Sequence, residues 1–376
     1  MSPRPPLRQL TRLYTLSHQL PKLHHGRLPP PVRSISTTPA PRVKARAPLH
    51  RNTFIQIRFA EADIPDLSFW TKHTIPPFVP DGEVSPTQCL EACKRYVHLA
   101  IENKPNWQQR NLSPTATSPT THDGSIPLFT LHYAAITLLL FAQTPGHRFL
   151  ALHILTTAAT AGYAPSTLTL ARLGHKTNNL QNPQFAHAKE SLATLLANPS
   201  RSPEYRPDTL TLAALVQLAA PAPTRATADR ATQLLEDASK AYSAAGGTTA
   251  AAAAAAVVVY WHWRARAVLA LSRLLIERKQ TARARAILRA AAAELDDPEI
   301  CFRYAELLPR PDAERRVLIQ RAAVSGVEEA AREMARETRA SLEEEEQTKG
   351  LSAWERRARG VIADEWAGIA GDKAVL

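Results

Sequence analysis

The sequence predicts an all-α protein, an α-solenoid of antiparallel helix pairs closed by a C-terminal capping helix. Three observations carry that reading. Alanine is abundant while aromatics make up only 6% of the 376 residues, and thin side chains suit closely approaching helices better than a thick sheet core. The 30 prolines gather before residue 130 and between 199 and 223, leaving long stretches free of helix breakers. Short apolar phrases also recur. "STLTLARLG" from Ser166 returns as "DTLTLAALV" from Asp208, and "ILTTAATAG" from Ile154 as "LIQRAAVSG" from Leu318. Self-similarity on the scale of roughly 35–45 residues is the mark of stacked helix pairs.

The chain opens on a leader, 1–35. The net charge of +12 comes almost wholly from the first sixty residues, which hold eleven Lys/Arg and no acid before Glu61. The remainder is nearly neutral, so the charge describes a leader and not a nucleic-acid-binding face. Leu7, Leu10, Leu13 and Tyr14 share one helical stripe beside Arg8 and Arg12. The pattern is that of a mitochondrial presequence, with "VRSIS" as a processing-like site before Ser36. The alternative is an unprocessed basic tail. The leader places the protein in the mitochondrial matrix or on the matrix face of the inner membrane.

Residues 36–84 form a proline-rich arm, expected to be extended or disordered. Trp70 and Phe78 have no use in a solvated linker. They dock on the body as a cap or present a partner-binding motif. From 85 to 127 come an N-terminal helix and a Ser/Thr/Pro-rich loop. The helix carries its own start signal: Ser85 as N-cap, Pro86 at the first helical position and Gln88 closing a capping box. Cys89 and Cys93 lie one helical turn apart, and Cys301 is alone. Three such residues make no disulfide framework, and we read them as packing residues in a reducing compartment.

Residues 128–349 are the predicted helical-repeat domain. "LFTLHYAAITLLLFA" is its most hydrophobic segment, and at about fifteen residues it falls short of the roughly twenty that a bilayer needs. In the repeats, Ala158 and Ala159 admit a close neighbour, Gly162 ends one helix with positive φ, and Pro165 sits just inside the next. Ala322, Ala323 and Gly326 are their counterparts. Residues 350–376 are the capping helix. Ser352 and Glu355 form a capping box, and Trp354, Ala358, Val361, Ile362, Glu365, Trp366 and Ile369 fall at helical spacing, opposite Arg356, Arg357, Arg359 and Asp364. Such a helix covers the exposed apolar end of a solenoid, or anchors in a partner's groove.

Ala151, Ala158–Ala159, Gly162, Ala171 and Leu173–Gly174 resemble one unit of a Sel1-like repeat, a relative of the tetratricopeptide repeat. Residues 268–298 are similar to a tetratricopeptide unit, with Leu271, Ser272, Leu275, Ala284, Leu288 and Ala291 at its alternating large and small positions. The resemblance covers roughly 128–340 and is degenerate: the units near 188–215 and 231–242 lack the glycine. It implies adaptor or assembly-factor work on a protein partner.

Phosphate-loop, dinucleotide, zinc-protease and nucleophile-elbow motifs are missing, so the reading is non-catalytic, with no cofactor, metal or small-molecule substrate. Asp296, Asp297 and Glu299 suggest a helix cap more simply than a cation site. The "EEEE" at 343–346 reads as a solvated face. In "YWHW", Tyr260 and Trp263 either pack between helices or line a groove with Arg266. His262 has no partner at helical spacing. The candidate partner-binding residues are therefore Tyr260, Trp263, Arg266, Trp70, Phe78 and Trp366. The seven arginines of 264–289 keep a second reading open, an RNA-associated helical-repeat factor. Peripheral association with the inner membrane is a further expectation.

Overall fold

The computed structural model describes residues 58–74, 84–113, 125–180, 182, 185–220, 223–246 and 261–371. The predicted leader, Phe78, Tyr260, most of the Ser/Thr/Pro-rich loop and the polyalanine run lie outside the described residues. What is described is all-α, with fifteen α-helices and a single two-residue parallel bridge, β1 (Leu112–Ser113) with β2 (Ile126–Pro127). The chain divides into two compact units, 1–194 and 195–376, which parts the 128–349 span between them.

The first unit contains α1 (Leu67–His73), α2 (Pro86–Glu102), α3 (Trp107–Asn111), α4 (Leu128–Phe141), α5 (Pro145–Thr160) and α6 (Ala164–Lys176). A further helix, α7 (Ala186–Ala197), runs up to and through the boundary. Each long helix packs on the next: α2 on α4, α4 on α5, α5 on α6. The capping box of Ser85 and Gln88 is formed as the sequence indicates. The expectation of an extended arm fails at 67–73. There Asp66 caps a helix by accepting the Phe69 N–H at 3.0 Å, and the helix packs on α2. Burial drives this: Trp70 is wholly enclosed, and its indole N–H reaches the Pro65 carbonyl at 3.1 Å.

The second unit holds α8 (Arg206–Leu218), α9 (Arg225–Gly246), α10 (Arg264–Glu277), α11 (Thr281–Leu295), α12 (Pro298–Glu306), α13 (Ala313–Val324), α14 (Glu328–Lys349) and α15 (Ala353–Ile369). They form consecutive hairpins, α8/α9, α10/α11, α12/α13 and α14/α15. In addition, α8 packs on α10 and α10 on α12, so the first helices of the first three hairpins line up side by side. Leu271, Ser272, Leu275, Ala284, Leu288 and Ala291 are all buried.

The turns explain why the sequence phrases recur. After α5, Gly162 (φ 85°) donates to the Ala159 carbonyl and Tyr163 to that of Ala158, both at 2.9 Å. After α13, Gly326 (φ 91°) and Val327 repeat the pattern on Ala323 and Ala322. These bonds satisfy carbonyls that the helix end would strand, and they need a left-handed residue. Two other helices make the same turn without glycine. Asn178 (φ 54°) closes α6 and Lys279 (φ 61°) closes α10. Gly174 answers a different need, since a β-carbon there would lie 2.6 Å from Leu180 Cδ1.

Candidate functional site

Two of the aromatic candidates are interior. Trp70 is 0% exposed and Trp263 6%, so neither is offered to a partner. This corrects the partner-binding reading of both: each fills space inside its own unit. Trp366 is half-buried against the cluster that includes Met334 and Ala370. Arg266 is exposed on α10.

Around "WHW" the structure builds a polar hub instead of a binding groove. Asp208, at the first turn of α8, is fully buried. Its carboxylate accepts the backbone N–H of Trp263 at 2.9 Å and of His262 at 3.2 Å, and lies 2.9 Å from His262 Nδ1. It thus caps α10 from another hairpin, where helix N–H groups would otherwise lack acceptors. Trp261 Nε1 donates to Thr211 Oγ1 at 2.9 Å, and its ring packs at 5.3 Å on Tyr242. The Arg264 guanidinium lies 4.9 Å over the Tyr242 ring and binds both oxygens of Glu294. That hydrogen-bonded pairing raises the Arg264 pKa and lowers that of Glu294. His262 therefore has a partner beyond helical spacing. Its partner lies far away in sequence, which helical spacing does not reveal. One signal was present: Asp208 occupies the place of Ser166 in the recurring phrase, and Ser166 Oγ likewise meets a histidine, His132 Nδ1, at 3.0 Å.

The acidic groups singled out by sequence are engaged in the same manner. Asp297 caps α12 through the Ile300 N–H at 3.1 Å, Glu299 pairs with Arg303, and Asp296 (φ 52°) with Arg321. Among the described residues no group of three His, Cys, Asp or Glu is placed to hold a metal ion. Cys89, Cys93 and Cys301 are free thiols and all buried, and burial pushes Cys89 up to about 12. Tyr96 Oη sits 2.7 Å from His153 Nδ1 and donates to Thr157 Oγ1 at 2.8 Å in the interior of the first unit. Burial lowers the pKa of His153 to about 4 and that of His132 to about 3, so both imidazoles are neutral.

The basic stretch 264–289 is largely neutralised. Arg264 pairs with Glu294, Arg273 with Glu277, Arg278 with Asp229 and Arg283 with Glu236. Among the described residues Arg266, Arg285 and Arg289 make no ion pair.

The exposed apolar surface is elsewhere, on α15. Trp354 is 76% exposed, Val361 54%, Ile362 50% and Ile369 52%. The helix begins on its predicted capping box, yet of the expected inward stripe Trp366 packs on the body while Trp354, Val361, Ile362 and Ile369 face out. Its small residues Ala363 and Ala367, with Ala370 just past its end, are the buried ones. Two physical reasons set this orientation. Alanine lets α15 lie close on α14, and the arginine side of α15 meets carboxylates of α14. Arg356 pairs with Glu346 at 2.9 Å, Arg359 with Glu345 at 2.8 Å, and Asp364 with Arg339 at 2.9 Å. The "EEEE" run is accordingly not a purely solvated face, because two of its members hold α15. Large apolar side chains are left on the outer face.

Among the described residues no helix is long and apolar enough to cross a membrane. Compared with family models, curated proteins and solved structures, the chain matches none.

Proposed function

We propose that this protein is a non-catalytic mitochondrial interaction scaffold or assembly factor, and that its outward docking element is α15. The observation that carries the reading is the stripe of Trp354, Val361, Ile362 and Ile369, held facing outward by three ion pairs to α14. Rows of apolar anchors at helical spacing are what a partner's groove or a facing helix recognises. Stacked hairpins whose first helices align, with left-handed turns after α5 and α13, support a degenerate Sel1-like or tetratricopeptide-like solenoid as the body. The burial of Leu271, Ser272, Leu275, Ala284, Leu288 and Ala291 supports it too.

The RNA-associated reading rests on Arg266, Arg285 and Arg289. It draws less support from the structure, since four neighbouring arginines already have carboxylate partners. Proximity labelling from the full chain in intact mitochondria, with RNA crosslinking on the same sample, decides between them. Protein labelling that drops on Trp354→Ser and Ile362→Asp supports the scaffold. RNA recovery that drops with each arginine removed, and steeply with salt, supports the other reading. N-terminal sequencing of the organellar protein tests the compartment: a start near Ser36 agrees with it, and an intact Met1 or a cytosolic location contradicts it.

A further inference from the structure

We propose that the outer face of α15 pairs two copies of this chain, antiparallel, about a two-fold axis passing between Val361 and Ile362. The inference rests on α15 being a docking element and names its occupant.

The stripe is symmetric about its midpoint. With Val361 level with Ile362 of the copy, Trp354 comes level with Ile369 and Ala358 with Glu365. A large ring thus meets a branched aliphatic side chain at both ends. A self-complementary patch of this kind is what a two-fold interface requires. At the middle, two β-branched residues meet their like.

Charge is complementary in the same register. Arg357 and Glu365 flank and interrupt the stripe, both exposed, and the ion pairs of this helix among the described residues run instead through Arg356, Arg359 and Asp364. In the antiparallel arrangement Glu365 stands level with Ala358 of the copy, one residue from Arg357. The small Ala358 leaves room for the carboxylate to reach that guanidinium. Two such contacts form, one on each side of the axis.

A lipid surface fits the same face poorly. An interfacial helix needs a row of free cations along its apolar edge, whereas Arg356 and Arg359 are engaged by Glu346 and Glu345 and leave Arg357 to stand for the row. Glu365 would also sit in the middle of the inserted face. At a rise of 1.5 Å per residue, seventeen residues present a strip about 25 Å long. A strip of that length lies at the small end of specific interfaces, so the dimer is weak and concentration-dependent.

The test is sedimentation velocity on the full chain over a concentration series. Wild type should shift from monomer toward dimer mass as concentration rises. Arg357→Glu and Glu365→Arg should each weaken the dimer about tenfold or more, because like charges then face each other. An equimolar mixture of the two variants should recover pairing, since each then supplies the charge the other lacks. Circular dichroism of both variants should match wild type, as both positions are exposed. A monomer at every concentration overturns the proposal, and so does a dimer indifferent to both reversals or a mixture that fails to recover. If the chain is monomeric yet Trp354→Ser abolishes association with a different protein, self-pairing fails while the docking reading survives. If neither occurs, both fail.

Discussion

The carboxylate of Asp208 lies 2.9 Å from the backbone nitrogen of Trp263 and accepts its hydrogen bond inside the second unit. One buried side chain on α8 thereby starts α10, fifty-five residues later. Removing it strands two backbone donors, a loss of about 1–3 kcal/mol beyond the cap itself. Asp208→Ala should therefore lower stability by about 2–4 kcal/mol in chemical denaturation of the full chain. His262→Ala should cost under about 1 kcal/mol, because its ring is 44% exposed and both backbone donors keep their acceptor. Equal losses for the two variants would show that the imidazole, not the helix start, is what Asp208 supports.

The left-handed turns give a second pair of variants. Gly326 has φ 91°, and no heavy atom lies within 4 Å of where a β-carbon would stand. Gly326→Val should thus cost about 1–2 kcal/mol from backbone strain alone. Lys279 is at φ 61° without glycine's freedom, so Lys279→Gly should raise the melting temperature. Gly360 lies within α15 with open space around it, and Gly360→Ala should gain about 0.5–1 kcal/mol. A Gly326→Val protein that melts with wild type would remove the turn assignment.

Acid should act first through buried histidines. His153 and His132 titrate near 4 and 3 in the folded chain because burial disfavours the imidazolium, against about 6.5 when unfolded. The unfolded state binds more protons in that interval. The stabilisation is present in full above pH 6.5 and is lost as pH falls toward the folded values, with a slope of about 1.4 kcal/mol per pH unit for each group. Thermal melts of the full chain between pH 7 and 5 should show this decline, and the slope should flatten by one proton in His153→Gln. Melting temperatures independent of pH over that range would contradict the neutral, buried assignment.

The orientation of α15 is also measurable. Ala367 is buried and Trp354 is not. Ala367→Leu should overpack the contact with α14 and cost about 1–3 kcal/mol, whereas Trp354→Ser should change stability by about 0.5 kcal/mol or less. The reverse ranking would restore the expected cap, with the large residues inward.

These cases show where the sequence is informative. Local rules were legible: the caps at Ser85, Asp297 and Ser352, the glycine turns at 162 and 326, and the apolar period of α15 all depend on residues within one or two turns. What escaped depends on partners distant in the chain or on a choice between two equally periodic faces. Asp208 and His262 meet only when α8 and α10 pack. The inner face of α15 is chosen by alanine contact, by Trp366 and by Glu345 and Glu346 on the preceding helix. Lys279 was invisible as a turn residue, because lysine seldom adopts positive φ and nothing in its neighbourhood announces it.

On the proposed function, α15 meets another protein through its outer face. The most direct measurement places a photoreactive amino acid at position 361 in the full chain and identifies what it captures in intact mitochondria. A control at Glu344, exposed on the neighbouring helix, sets the background. A discrete protein adduct is expected at 361, either this chain itself or a single partner, lost when Trp354 is replaced by serine. Capture of RNA, or of nothing above the Glu344 background, would contradict it.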